Sequence, residues 1–189
     1  MYEASDLRKG LKIEIDGEPY IVSDFQFVKP GKGGALYKCK IKNIFTGNTI
    51  DKTFRSVDKI GKPNMMDNDM TYSYADGDNF VFMDDKTYEQ VELSKELLGV
   101  NVNFLEDDMK CSVLFFNDRP IGITLPNFVE KVIGETEPGF KGDTSTNTYK
   151  PAKIENGYEI MVPLFINEGD VVRIDTRTGE YADRVSKGK

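Results

Sequence analysis

Phe25-Gln26-Phe27-Val28-Lys29-Pro30-Gly31-Lys32-Gly33-Gly34-Ala35-Leu36-Tyr37-Lys38-Cys39-Lys40-Ile41-Lys42 reads as two strands joined by a glycine-lined turn. Phe25 to Val28 alternates apolar and polar, and Tyr37, Cys39 and Ile41 alternate with Lys38, Lys40 and Lys42, the period of a strand with one buried face. Between them Pro30 fixes its own φ and lacks an N–H. Gly31, Gly33 and Gly34 tolerate φ > 0 and carry no side chain that could cover Lys32. A lysine at the apex of such a hairpin is presented rather than packed. Lys38, Lys40 and Lys42 lie on the outward face, and with Lys29 and Lys32 they form a basic stripe. Two readings stay open: a solvated strand face, or a surface for a polyanion. A phosphate-binding P-loop is excluded, because Gly31-Lys32 is followed by two glycines and a strand instead of Ser or Thr and a helix.

Charge is distributed unevenly along the 189 residues. Residues 1–63 carry 12 Lys+Arg against 8 Asp+Glu (+4), residues 64–127 carry 4 against 13 (−9), and residues 128–189 carry 9 against 11 (−2), which together give −7. A net acidic chain thus hides a basic amino-terminal third. Histidine is absent, which excludes Ser-His-Asp and Cys-His catalysis and every His-bearing zinc site. Cys39 and Cys111 are too few for a four-thiolate site and read as buried, free thiols, as expected in a reducing compartment. The amino terminus has no basic flank followed by an apolar run, and no stretch approaches the ~20 apolar residues that span a bilayer, so a cytoplasmic location with no membrane partner is expected.

Nearly every other segment is a short strand bounded by a turn. Leu11–Ile15 returns at Tyr20–Val22 across Asp16-Gly17. Met70–Tyr74 meets Phe80–Met83 across Asp76-Gly77-Asp78, and Ser112–Phe116 meets Ile121–Leu125 across Asn117-Asp118-Arg119-Pro120. Val171–Asp175 meets Glu180-Tyr181 across Arg177-Thr178-Gly179. Only Lys95–Leu98, capped by Ser94 and stopped by Gly99, and Val102–Leu105 look helical. Strands this close describe small barrels, which fold at about 60 residues each. The expectation is an all-β chain of three small β-barrel domains, residues 1–63, 64–127 and 128–189, divided at Gly61-Lys62-Pro63-Asn64 and Pro126-Asn127.

No motif carries chemistry. Asp67/Asp69 and Asp76/Asp78 lack the glycine and closing glutamate of a calcium loop, so no metal is expected. No carboxylate pair stands at a spacing that singles it out for acid–base work, and the chain is expected not to be an enzyme and to need no cofactor. A second exposed loop, Pro138 to Thr148, is rich in glycine and short polar side chains, which suit either an inter-strand link or contacts to phosphates and base edges.

Lys150-Pro151-Ala152, Gly157, Ile160, Val162-Pro163, Ile166 and Gly169 reproduce the spacing of a carboxy-terminal signature. Gly10-Leu11-Lys12-Ile13, Asp16 to Tyr20, Lys29 to Gly34, Lys52-Thr53-Phe54, Pro126 to Val129 and Gly142-Asp143-Thr144 agree with it upstream. In these features the chain resembles the bacterial translation elongation factor P family along essentially its whole length. The resemblance implies a KOW-like first barrel and two OB-fold barrels in an L-shaped, tRNA-like arrangement, acting as a monomer. It implies binding to the 70S ribosome between the P and E sites and relief of stalling at consecutive prolines. Lys32 would then be the modified tip lysine, with Lys29, Pro30, Gly31, Gly33 and Gly34 as its loop, beside the peptidyl-tRNA in the P site. Gly142, Asp143 and Thr144 would lie near mRNA in the E site, and Tyr181 and Arg184 would face the small subunit. A lysine-modifying enzyme is implied as a further partner, a lysyl-tRNA-synthetase-like ligase in the β-lysylated group. Gly34-Ala35-Leu36 departs from the Gln-Ala-Phe common in that group. The rival readings are the elongation factor P-like paralogue, which differs at the tip and at the Gly-Asp-Thr loop, and a general single-strand RNA-binding OB-fold protein.

Overall fold

Alternation in the sequence becomes pleat almost throughout the computed structural model, which describes residues 1–139 and 148–189. Among the described residues sixteen strands and one α-helical turn follow in chain order. Residues 1–67 with 114–121 form one compact unit, and residues 68–113 with 122–189 form another.

In the first unit β1 (Tyr2–Glu3) leads through a short 3-10 turn to β2 (Lys12–Ile15), β3 (Glu18–Val28), β4 (Leu36–Asn43), β5 (Thr49–Arg55) and β6 (Lys59–Ile60). β2 to β5 make a sheet in sequence order, while β1 pairs with β6, Tyr2 opposite Ile60. Asp16 and Gly17 both adopt positive φ (52° and 79°), the backbone of the tight hairpin expected between β2 and β3. The core is Ala4, Leu7, Leu11, Ile13, Val22, Cys39, Ile41, Phe54 and Ile60. Each fully buried aliphatic side chain there contributes roughly 1.5–3 kcal/mol. Where two strands were expected at Tyr20–Val22 and Phe25–Val28, β3 is a single strand, because the interruption at Ser23 is a bulge: Val22 pairs with Ile41 and Asp24 with Lys40, leaving Ser23 unpaired.

The second sheet has the order β11-β10-β7-β8-β9, with β7 Met65–Asp76, β8 Asn79–Asp84, β9 Gln90–Ser94, β10 Lys110–Phe116 and β11 Arg119–Thr124. The turn before β11 is shorter than the four residues expected. Asn117 and Asp118 alone carry it, at φ 45° and 66°, and Pro120 sits in β11, an edge strand where its missing N–H costs nothing. Ser94 caps α1 (Lys95–Leu98) through Oγ, which accepts from the Leu97 amide at 3.2 Å. The further helical turn expected at Val102–Leu105 lies instead at Gly99–Asn103, as 3-10 helix directly continuing α1.

The third sheet, β14-β13-β12-β15-β16, is built on β12 (Phe128–Thr136), with β13 Tyr149–Ile154, β14 Glu159–Pro163, β15 Val171–Asp175 and β16 Glu180–Ser186. β13 was not expected as a strand of its own; Tyr149, Pro151 and Lys153 are exposed and Lys150, Ala152 and Ile154 buried, so its alternation is complete but carries a lysine on the inner side. Small residues mark the bulge in the long strand of each sheet: Ser23 in β3, Ser73 in β7 between Tyr72 and Tyr74, and Gly134 in β12 between Ile133 and Glu135. Bulges increase twist, and each sheet curls around its own core.

Within the second unit the segment after α1 is joined to the β13–β14 turn. Phe104, fully buried, meets the Tyr158 ring edge-on at 5.7 Å, and the Asn156 Nδ2 donates to the Asn103 carbonyl at 2.9 Å. Lys131 Nζ donates to Glu106 Oε1 at 2.8 Å, with the lysine side chain only 16% exposed. Thr176 Oγ donates to the Pro126 carbonyl at 2.6 Å. Among the described residues no buried side-chain nitrogen or oxygen lacks a hydrogen-bond partner, and no helix is long and apolar enough to cross a membrane.

Candidate functional site

β3 and β4 stay paired as far as Val28 opposite Leu36, so the turn that holds Lys32 projects from the end of a long hairpin. The neck of that hairpin is aromatic. Tyr37 packs edge-on against Phe27, its cross-strand partner, at 5.1 Å and against Phe25 at 6.1 Å, while Phe54 pairs with Tyr37 from β5. Aromatic pairs of this kind add about 0.5–1.5 kcal/mol each beyond their buried area and hold the neck against splaying. Lys29, Pro30, Gly31, Lys32, Gly33 and Gly34 are all exposed. Of the three glycines only Gly33 has a positive φ, at 113°, which an L side chain rarely adopts. Gly31 and Gly34 have ordinary φ, so they matter for what they leave uncovered around Lys32, not for backbone strain.

Lys38, Lys40 and Lys42 are exposed and share the outer face of β4, with Cys39 and Ile41 buried between them. Their neighbours differ. Lys38 stands between Gln26 and Thr53, and Lys42 between Ile21 and Thr49, whereas Lys40 stands between Asp24 and Asp51. The basic stripe is therefore two lysines with neutral residues directly opposite, separated by one that faces an aspartate on each side.

Tyr181 and Arg184 lie on β16 opposite Ile174 and Val172, on the side facing the third core. Arg184 is largely used up inside the domain. Its side chain is 26% exposed, and the guanidinium lies 3.6 Å from the Asp170 carboxylate and covers the Phe165 ring at 5.0 Å. Asp170, almost fully buried, also accepts from the Asn167 and Gly188 amides at 2.9 and 2.8 Å. Burial alone would raise its pKa, but these bonds and Arg184 outweigh it and hold the carboxyl below the usual range. Burial raises the Tyr181 phenol, helped by Asp183 and opposed by Arg184. Lys150 is buried beneath this corner and donates to the Glu137 carbonyl; burial lowers its pKa, with Asp170 acting the other way. Gly142, Asp143 and Thr144 lie outside the described residues.

Cys39 and Cys111 are both free and buried, and burial, with Asp85 adding, pushes the Cys111 thiol up to about 11. Burial disfavours the thiolate at both positions. Among the described residues no group of three or more Cys, Asp or Glu could hold a metal ion. Sequence reading passed over Phe165 and Asp170. Phe165 falls outside any strand period, and Asp170 is one of 32 acids until the fold buries it.

Three family models match the chain: the elongation factor P KOW-like domain over residues 3–60, the elongation factor P OB domain over 65–123, and the elongation factor P C-terminal domain over 129–184. Elongation factor P of Desulforapulum autotrophicum is 54% identical over 187 residues, covering 99% of this chain and 100% of that one. Its counterpart in Desulfosudis oleivorans is 51% identical with the same coverage. Among solved structures, the eukaryotic translation initiation factor 5A from Methanococcus jannaschii aligns with a TM-score of 0.58 at 25% identity, covering 66% of this chain and 91% of that one. A hairpin-borne lysine on a KOW-like domain, followed by OB-type sheets and matched over its whole length at about half identity, places the chain in the elongation factor P family.

Proposed function

We propose that the chain acts in the cytoplasm by binding the 70S ribosome between the P and E sites, where it stimulates peptide-bond formation at consecutive prolines. The observation that carries this reading is the exposed Lys32 at the end of an aromatically braced hairpin, in a chain of this family. Lys32, extended by a modifying enzyme of the ligase type, reaches the acceptor end of the peptidyl-tRNA. Lys38 and Lys42 meet RNA phosphates on the outer face, Tyr181 and Arg184 lie toward the small subunit, and Gly142, Asp143 and Thr144 lie toward mRNA in the E site. The three functional regions are residues 1–63, 64–127 and 128–189.

The mechanism needs no acid, base or nucleophile from the protein. Proline is a poor participant in peptidyl transfer because its ring restricts the attacking geometry, and a reaction limited by orientation is accelerated by whatever holds its partners in a productive pose. Tenfold in rate corresponds to about 1.4 kcal/mol. One or two charge-assisted hydrogen bonds from the extended Lys32 to phosphate or ribose, at about 1.5–3 kcal/mol each, cover a hundredfold.

Lys32→Ala tests this. The side chain is exposed and buries little, so the melting temperature should be unchanged while rescue of a proline-run reporter falls at least tenfold. Full rescue by a folded Lys32→Ala variant would overturn the role of Lys32.

A further inference from the structure

Arg184 and Phe165 have exchanged the roles that their chemistry would suggest. The arginine is three-quarters covered, drawn in by buried Asp170, and lies over one face of a phenylalanine that is itself 56% exposed. The Phe165 ring has no inward alternative. It sits in the turn after β14, where the Ile166 amide donates to the Pro163 carbonyl at 3.1 Å and Ile166 fills the core with no exposure, so Phe165 beside it must point out. Tyr149, 51% exposed, is paired with Pro163 at the start of the same turn. The turn after β14 thus presents an exposed ring backed by a guanidinium that Asp170 holds.

We propose that Phe165 is the stacking surface for an unpaired RNA base, and that Arg184 is the residue that positions it. The proposal rests on the ribosome-binding reading and assigns the group that meets RNA at this corner. OB-type domains hold single strands by stacking bases on aromatic rings, with arginine contributing through its planar face. A guanidinium committed to a buried carboxylate has little charge left for a phosphate, whereas a ring braced on one face and 56% exposed suits a neutral base. The pinned backbone of the 163–166 turn means that little ordering is required on binding.

The chain contains no tryptophan, so Phe165→Trp introduces a single indole at the site. Ribosomes added to this variant should quench its emission without a blue shift, as expected for stacking on a base, while Tyr88→Trp at an exposed position elsewhere should stay bright. Phe165→Ala should weaken ribosome binding roughly tenfold. The slope of log affinity against log salt should be unchanged, because no phosphate contact is lost. Phe165→Tyr should retain wild-type affinity. Unchanged emission with ribosome binding intact overturns the stacking role and leaves the ribosome reading standing. A blue shift with brightening marks an apolar protein surface and overturns the choice of RNA. Failure of the unsubstituted chain to bind ribosomes removes both readings.

Discussion

Lys40→Gln should change ribosome binding far less than Lys38→Gln or Lys42→Gln, although all three lysines are exposed on one strand face. The difference lies in the register. Directly opposed cross-strand residues have Cβ atoms about 4.5–5.5 Å apart, which puts the Lys40 ammonium within reach of Asp24 on β3 and Asp51 on β5. At about 6 Å in water each carboxylate offsets the lysine by roughly 0.7 kcal/mol toward a third charge at similar range. A phosphate approaching that row meets a trio with net charge −1, whereas the residues directly opposite Lys38 and Lys42 are neutral. Each phosphate contact contributes about 0.7–0.9 to the slope of log affinity against log salt. Lys38→Gln and Lys42→Gln should each flatten the slope by about that amount and Lys40→Gln by almost nothing. The assay is equilibrium binding of each variant to ribosomes between about 50 and 200 mM salt. If Lys40→Gln flattens the slope as much as Lys38→Gln does, the two aspartates do not shield it and the reasoning fails; if none of the three alters it, the stripe is only a solvated face.

Acid should expose the Asp170 carboxylate. Its folded pKa lies below the ordinary value, so its contribution is complete above the unfolded pKa near 3.9 and is lost as pH falls through the folded value. Asp170→Asn should therefore melt lower than wild type at pH 7, with the gap closing below about pH 4, and a constant gap in calorimetry across that range would contradict the assignment. Phe104→Ala should cost about 3–5 kcal/mol, and a double-mutant cycle with Tyr158→Ala should return a coupling of about 0.5–1.5 kcal/mol; strict additivity would mean that the edge-on ring pair does not join the two segments of the second unit.

Much of this is legible in the amino-acid sequence. Alternation located the faces of β4 because one buried side forces every second residue inward, and Asp16-Gly17 announced its hairpin because the turn demands positive φ at both positions. The exposed lysine tip was readable from glycine and proline chemistry alone. Other features depend on pairing, which a single sequence does not state. Shielding of Lys40 requires knowing that Asp24 and Asp51 fall opposite it, and the bulge at Ser23 decides the first of these. Ser23-Asp24 looks like a strand break because polar residues interrupt the apolar period, yet the ladder continues across it. Phe165 is silent in the sequence for a different reason: its exposure follows from the burial of Ile166 beside it and the capture of Arg184 by Asp170.

The bulge at Ser23 acts as a phase shift in the pleat. Below it the even-numbered Tyr20 and Val22 face the first core, and above it the odd-numbered Phe25 takes that side, so the strand inverts its parity in mid-course. Without that inversion, Asp24 and Gln26 would turn inward, and Phe25 and Phe27 would fall on the surface opposite to Tyr37, undoing the aromatic brace. The face on which the hairpin neck is braced is thus set by an unpaired serine well back along β3, where the chain changes step once and keeps the new step as far as Val28.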